Sequence, residues 1–402
     1  MPAPFAPMVL LYGAAALVMA ADAALTSFGV IPAVSGLPWL RVHLITIGVL
    51  IQLVFALLLP AGRSGAPPAS ATNAWPAWLS LNVGLPLLLV GIPTVSPALI
   101  ASGGGLVLVA ALLVLRQAAG NAGEPWGSSR PFYLAGIAYL LFGITVGTGL
   151  WLGWTAPFNM AAPKEVHIHA NAWGFLSLVY AGLLLDMRGT LTSAAPPAAG
   201  RLRAVWVLMV AGALGLVLGP WFDQRALTGP GMLAYLAGTV LLLATTLPAL
   251  LRTATPKAGA WHLLLAYAWI VTPLLAAPFI LMGVPNFPAG VVEQNAPQAL
   301  IYGWALQFAF AAGPYLLWRT LHPAAPPRLG GNPLTLVLVN AGAIAIWASI
   351  VLEPVRPLLH GTAYVLWGAA LACLVCQVCG LLRKGQSVDA APRPTPATPP
   401  AQ

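Results

Sequence analysis

Charge is what this sequence has least of. Only 6% of its 402 residues are Asp, Glu, Lys or Arg, and no polar stretch is large enough to form a soluble domain. A chain that is 59% hydrophobic, with mean hydropathy +0.87, is excluded from the ordinary soluble proteins and reads as a polytopic membrane protein. Cysteine is scarce too. Cys373, Cys376 and Cys379 all fall in one late hydrophobic run, which excludes a disulfide framework. Their C-x2-C-x2-C spacing would suit an iron–sulfur loop, but an apolar helix offers neither the loop nor a fourth ligand, so they read as packing residues. There is no G-x4-G-K-[ST] phosphate loop, no H-E-x-x-H zinc helix and no serine-nucleophile elbow. The net charge of +9 implies no nucleic acid, because the basic residues are scattered through loops rather than gathered in a patch.

What the sequence has is long apolar runs. Hydropathy predicts an all-α fold of about twelve transmembrane helices, near 8–30, 40–61, 77–95, 98–117, 132–154, 166–187, 202–220, 231–251, 260–283, 298–318, 333–351 and 360–382. The third and fourth are split at Pro97. Residues 8–21 imitate a signal-peptide core, but no Lys or Arg precedes them, so they are read as part of the first span. Residues 1–383 form one transmembrane domain, and 384–402, rich in Pro, Ala and Thr, are expected to be a disordered tail. Thirteen basic residues, among them Arg63, Arg116, Arg188, Arg252, Arg319 and Arg383, fall on the side of both termini. Four (Arg41, Lys164, Arg225 and Arg356) fall on the other. The positive-inside rule then predicts cytoplasmic N- and C-termini in the plasma (inner) membrane.

Orientation sorts the histidines. His43, His167, His169 and His360 start the second, sixth and twelfth spans at the outer side, whereas His262 and His322 lie at the inner side. Four imidazoles at one depth suggest a metal- or heme-binding layer, with histidines merely meeting interfacial water as the alternative. An internal repeat supports the first reading. When Gly48, Gly174 and Gly303 are aligned, His43, His169 and Gln298 stand five residues earlier, and Gln52, Leu178 and Gln307 four later. The chain then divides into three four-helix units, near 8–117, 132–251 and 260–382, in a pseudo-threefold arrangement. A bis-imidazole heme needs two rings facing across a gap between helices, and His43 and His169, at equivalent repeat positions, are the first choice.

The run Val166–Arg188 concentrates the pattern. His167 and His169 are two residues apart, about 200° around a helix, so they serve opposite faces. Gly174 and Gly182 lie near the His167 face, where a flat macrocycle or another helix could approach. His167, His169, Gly174, Phe175 and Gly182 resemble the heme-liganding helix of heme-copper oxidase catalytic subunits (subunit I), closest to the cytochrome cbb-type oxidase and nitric oxide reductase branch. The resemblance implies that His169 and His43 hold a low-spin heme b and that His167 holds a high-spin one. It also implies that Arg356, before His360, meets heme propionates, with a cytochrome or other redox partner supplying electrons. His360 is a further ligand candidate without a family counterpart. The departures are as informative. The motif stands on the sixth span rather than the tenth, where Gln298 replaces the histidine. The seventh span has no His-His pair, so copper is not expected to bind, nor four-electron oxygen reduction to occur.

The remaining candidates are polar groups at membrane depth. Asp22, in the outer half of the first span, could orient a liganding imidazole as a neighbouring carboxylate, join a proton or ion path, or bond to an adjacent helix. Gln298 could play a similar supporting role. Gln52 and Gln307 suit helix-to-helix amide bonds or a polar path. Pro273 and Pro278 are expected to break the ninth span, as a kink or as an unwound solute site. The expected function is therefore a heme-binding membrane protein for electron transfer or for binding nitric oxide or oxygen. The alternatives are a small-solute or ion transporter and a cofactor-free membrane paralogue in assembly or scaffolding.

Overall fold

The computed structural model describes residues 5–34, 36–59, 74–120, 129–154, 156, 158–253, 257–322 and 325–389. Every regular element among them is helical, and twelve helices are long and apolar enough to cross a membrane. In chain order they are α1 (Phe5–Ser27), α2 (Leu37–Leu58), α3 (Ala74–Gly91), α4 (Pro97–Ala119), α5 (Arg130–Leu152) and α6 (Pro163–Leu191). There follow α7 (Ala199–Phe222), α8 (Arg225–Thr253), α9 (Lys257–Leu281), α10 (Ala289–Arg319), α11 (Pro333–Val351) and α12 (Glu353–Arg383). The multi-pass all-α architecture read from hydropathy is the one observed. The helix of α12 continues to Asp389, into the stretch expected to be a tail. Residues 390–402, and Arg63 in the loop after α2, lie outside the described residues.

Local chemistry explains several of the boundaries. Proline occupies the first turn of α2, α5, α6 and α11, where a missing N–H leaves no helical bond unmade. Asn332 and Thr335 cap α11 reciprocally. Gly153 closes α5 with φ +74°, a left-handed turn that disfavours side chains. The ninth span differs from expectation, because α9 runs unbroken through Pro273 and Pro278. A proline removes one N–H only, and inside a bundle neighbouring groups can take up the slack. The unwound segment that a transporter site would use there is not formed.

Burial identifies the centre. The most apolar stretch of α6 is 83% buried and that of α10 89%, with α2 next at 56%; no other span exceeds 50%. These three helices carry the aligned glycines, and each contains a π-helical segment: Leu44–Ile51 in α2, Ala170–Leu176 in α6 and Ala299–Leu306 in α10. Inside each segment the glycine receives an aromatic ring from the helix before it. Gly48 meets Tyr12, Gly174 meets Tyr139 and Gly303 meets Trp269. One helix further on, Gly84, Gly212 and Gly342 press against α4, α8 and α12 respectively. The same contacts thus recur three times along the chain, in α1–α4, α5–α8 and α9–α12. Ring against missing Cβ is the packing that brings membrane helices close where water supplies no driving force.

Candidate functional site

His43, His167, His169 and His360 lie about two turns into α2, α6 and α12. The structure brings two of them together. The His43 and His167 rings are 6.3 Å apart between centroids, with planes inclined by 25°. His43 Nδ1 donates to the Trp39 carbonyl at 2.7 Å, and His167 Nδ1 donates to the Gly143 carbonyl of α5 at 2.9 Å. A carbonyl can only accept, so each ring carries its proton on Nδ1 and keeps the Nε2 lone pair. The 3.3 Å approach of Asn171 Nδ2 to the same His167 nitrogen is then no hydrogen bond, and that amide donates instead to the His167 carbonyl at 2.9 Å. Both rings are half-buried.

The surroundings fix the rings. Trp39, one turn before His43, stacks on it at 4.2 Å and 17°. A Cβ at Gly147 would come within 2.5 Å of His167 Cε1, so α5 must present a bare backbone to that imidazole. Trp39, Gly143 and Gly147 did not emerge from the histidine pattern. The G-x3-G spacing of the two glycines on the fifth span was the available signal.

The expected pairing is thereby altered. His43 meets His167, not His169, because the two motif histidines point to opposite sides of α6. His169 turns to α7, donating from Nδ1 to the Leu216 carbonyl at 2.5 Å and meeting Trp173 edge-on at 4.9 Å. His360 is half-buried with Nε2 unpartnered and has no ring contact with the other three. Arg356 bonds to the Ser349 carbonyl and lies 3.8 Å from Glu353. Gly174, read as a place where a macrocycle or helix could lie, is filled by the Tyr139 ring. Asp22 takes the helix-to-helix option, with Oδ2 accepting from Arg41 at 2.6 Å, and Arg41 lies over Tyr364 of α12. Gln298 Oε1 is buried without a partner. The three cysteines are free, and among the described residues no three His, Cys, Asp or Glu side chains converge as a metal-holding group.

One iron held by both imidazoles, at a metal–nitrogen distance of about 2 Å, would need ring centres about 6 Å apart. The 6.3 Å separation matches that spacing, and the proton on each Nδ1 leaves Nε2 as the donor atom. Two cavities lie elsewhere. One, of about 40 Å³, sits among α1, α2, α10 and α12; the other, of about 140 Å³, lies between α5 and α7. Neither touches a histidine. The nitrogen donors suit heme iron, then, and a macrocycle would need space that neither of these cavities provides.

No family model matches this chain, and no curated protein matches it significantly. The functional reading stands on the residues.

Proposed function

We propose that this protein is a heme-binding integral membrane protein, with His43 and His167 as the axial pair of one b-type heme. The single observation that carries the reading is the approach of two Nδ1-protonated imidazoles from remote parts of the chain to a separation suited to one iron. Heme so held supplies one-electron redox chemistry. The chain's own residues do the positioning. The Trp39 and Gly143 carbonyls fix the tautomers, the Trp39 ring clamps His43, and Gly147 leaves space for His167. Carbonyl partners on the remote ring nitrogen also raise ligand basicity. Two protein ligands leave no open coordination position, so the arrangement favours electron transfer over gas binding. A cytochrome or other one-electron protein is the corresponding partner. Membership of the heme-copper oxidase superfamily, without its copper ligands, accords with the His167–Gly182 motif and with the contacts repeated in three units. The distribution of basic residues supports cytoplasmic termini in the plasma membrane.

The test is the spectrum of the purified protein. A Soret band with a low-spin, dithionite-sensitive signature is expected, lost in His43→Ala and in His167→Ala but kept in His169→Ala and His360→Ala. Loss of the signature in His169→Ala alone would overturn the pairing. A second reading, the cofactor-free membrane paralogue, is favoured by one observation: neither of these two cavities adjoins the histidines. A purified protein without a Soret band, even after incubation with hemin, would establish that reading instead.

A further inference from the structure

The cavity of about 140 Å³ between α5 and α7 is lined by Phe142, Thr145, Val146 and Gly149 of α5, by Trp154, Phe158 and Met160 of the following loop, and by Trp221 of α7. Two of its polar groups are already committed. The Thr145 hydroxyl donates to the Leu141 carbonyl within α5, and Trp221 Nε1 donates to the Phe158 carbonyl. What remains is hydrocarbon and aromatic face, with Phe142 stacked on Trp221 at 5.7 Å. An apolar groove of this kind, open between exposed side chains, takes an apolar guest. Depth narrows the choice of guest. From Gly149, near the end of α5, to Phe142 is seven residues, or roughly 10 Å along the helix, so the cavity runs inward from the membrane boundary. At its mouth Trp154 and Phe158 are 43% and 53% exposed, and an indole there can donate to an ester carbonyl while its ring stays in hydrocarbon.

We propose that this cavity is a site for the upper part of one lipid acyl chain. The chain would brace the wall that orients the histidines. Phe142 adjoins Gly143, whose carbonyl holds His167, and Trp221 lies just beyond Leu216, whose carbonyl holds His169. Phe142, Met160 and Trp221 of the lining also pack against Val146, Val166, Ala170 and Val217, a small buried cluster separate from the main core. The inference is independent of whether heme binds.

The full-length protein in phosphatidylcholine vesicles tests it, doped with phospholipids carrying a photoreactive diazirine either near the acyl carbonyl or at the chain end. The expected result is labelling of the 154–160 segment by the first probe in preference to the second, falling at least fivefold when Thr145→Phe and Met160→Phe fill the cavity. Equal labelling by both probes, or labelling unchanged in both filled variants, would overturn the proposal. Correct folding of the variants is read from unchanged elution and thermal unfolding. If Thr145→Phe fails that check, Met160→Phe decides alone.

Discussion

His43 and His167 come from helices separated by more than a hundred residues, yet their rings stand 6.3 Å apart with planes inclined by only 25°. Each is tethered through Nδ1 to a main-chain carbonyl, so neither imidazole can swing away without breaking a partly buried hydrogen bond.

Under the proposed function, the two histidines share one heme and should act as one unit. His43→Ala and His167→Ala should therefore each abolish the low-spin spectrum completely, so that the double variant has no more of it to lose, rather than give effects that add. Absorption and electron paramagnetic resonance of the three proteins check this. Graded losses would mean that the two rings hold different things.

Gly147 should behave as part of the same site. An alanine there puts a Cβ within 2.5 Å of His167 Cε1, and overpacking of this kind typically costs about 1–3 kcal/mol. The imidazole is the movable party, so Gly147→Ala should shift the heme spectrum toward that of His167→Ala. Gly105→Ala meets nothing within 4 Å and should leave both spectrum and melting temperature unchanged. An unaltered spectrum in Gly147→Ala would remove α5 from the site.

The helices were legible because burying a backbone in lipid leaves so few options. Runs of apolar residues broken at Pro97 and at Gly/Pro-rich loops left little room for error in α1 to α12. The aligned Gly48, Gly174 and Gly303 were legible for a related reason, since only glycine admits Tyr12, Tyr139 and Trp269 so closely. Which histidines would meet was not legible. Repeat alignment favoured His43 with His169, but pairing depends on how α6 is rotated about its axis and on the π-helical turn that follows His169. Period-3.6 reasoning contains neither. Asp22 was hidden similarly, since nothing in its neighbourhood announces that Arg41 will fold back onto α1.

That ion pair joins α1 to α2 with side chains only 16% and 11% exposed, and the Arg41 guanidinium also lies 5.9 Å from the centre of the Tyr364 ring. Removing the acid leaves a cation stranded among apolar helices, a change worth roughly 3–5 kcal/mol in fully buried pairs and expected here at the low end. Asp22→Ala should lower the melting temperature in detergent clearly, and Asp22→Ala with Arg41→Met should recover much of the loss. Absence of recovery in the double variant would show that Arg41 has a role beyond its acid.

Gln52 and Gln307 occupy equivalent positions in α2 and α10, are both fully buried, and differ in one respect. Gln52 Nε2 donates to Asn82 Oδ1 at 2.6 Å, whereas neither amide atom of Gln307 has a partner. Gln52→Leu strips a buried amide of its mate and should destabilise by about 1–3 kcal/mol. Gln307→Leu removes two unsatisfied polar atoms and replaces them with a side chain of similar size, so it should be neutral or stabilising. Thermal unfolding of the two variants side by side decides the matter. A Gln307→Leu protein that melts as early as Gln52→Leu would reveal a bonded group, such as an internal water, at the centre of α10; one that melts normally but loses redox activity would assign Gln307 to function rather than to packing.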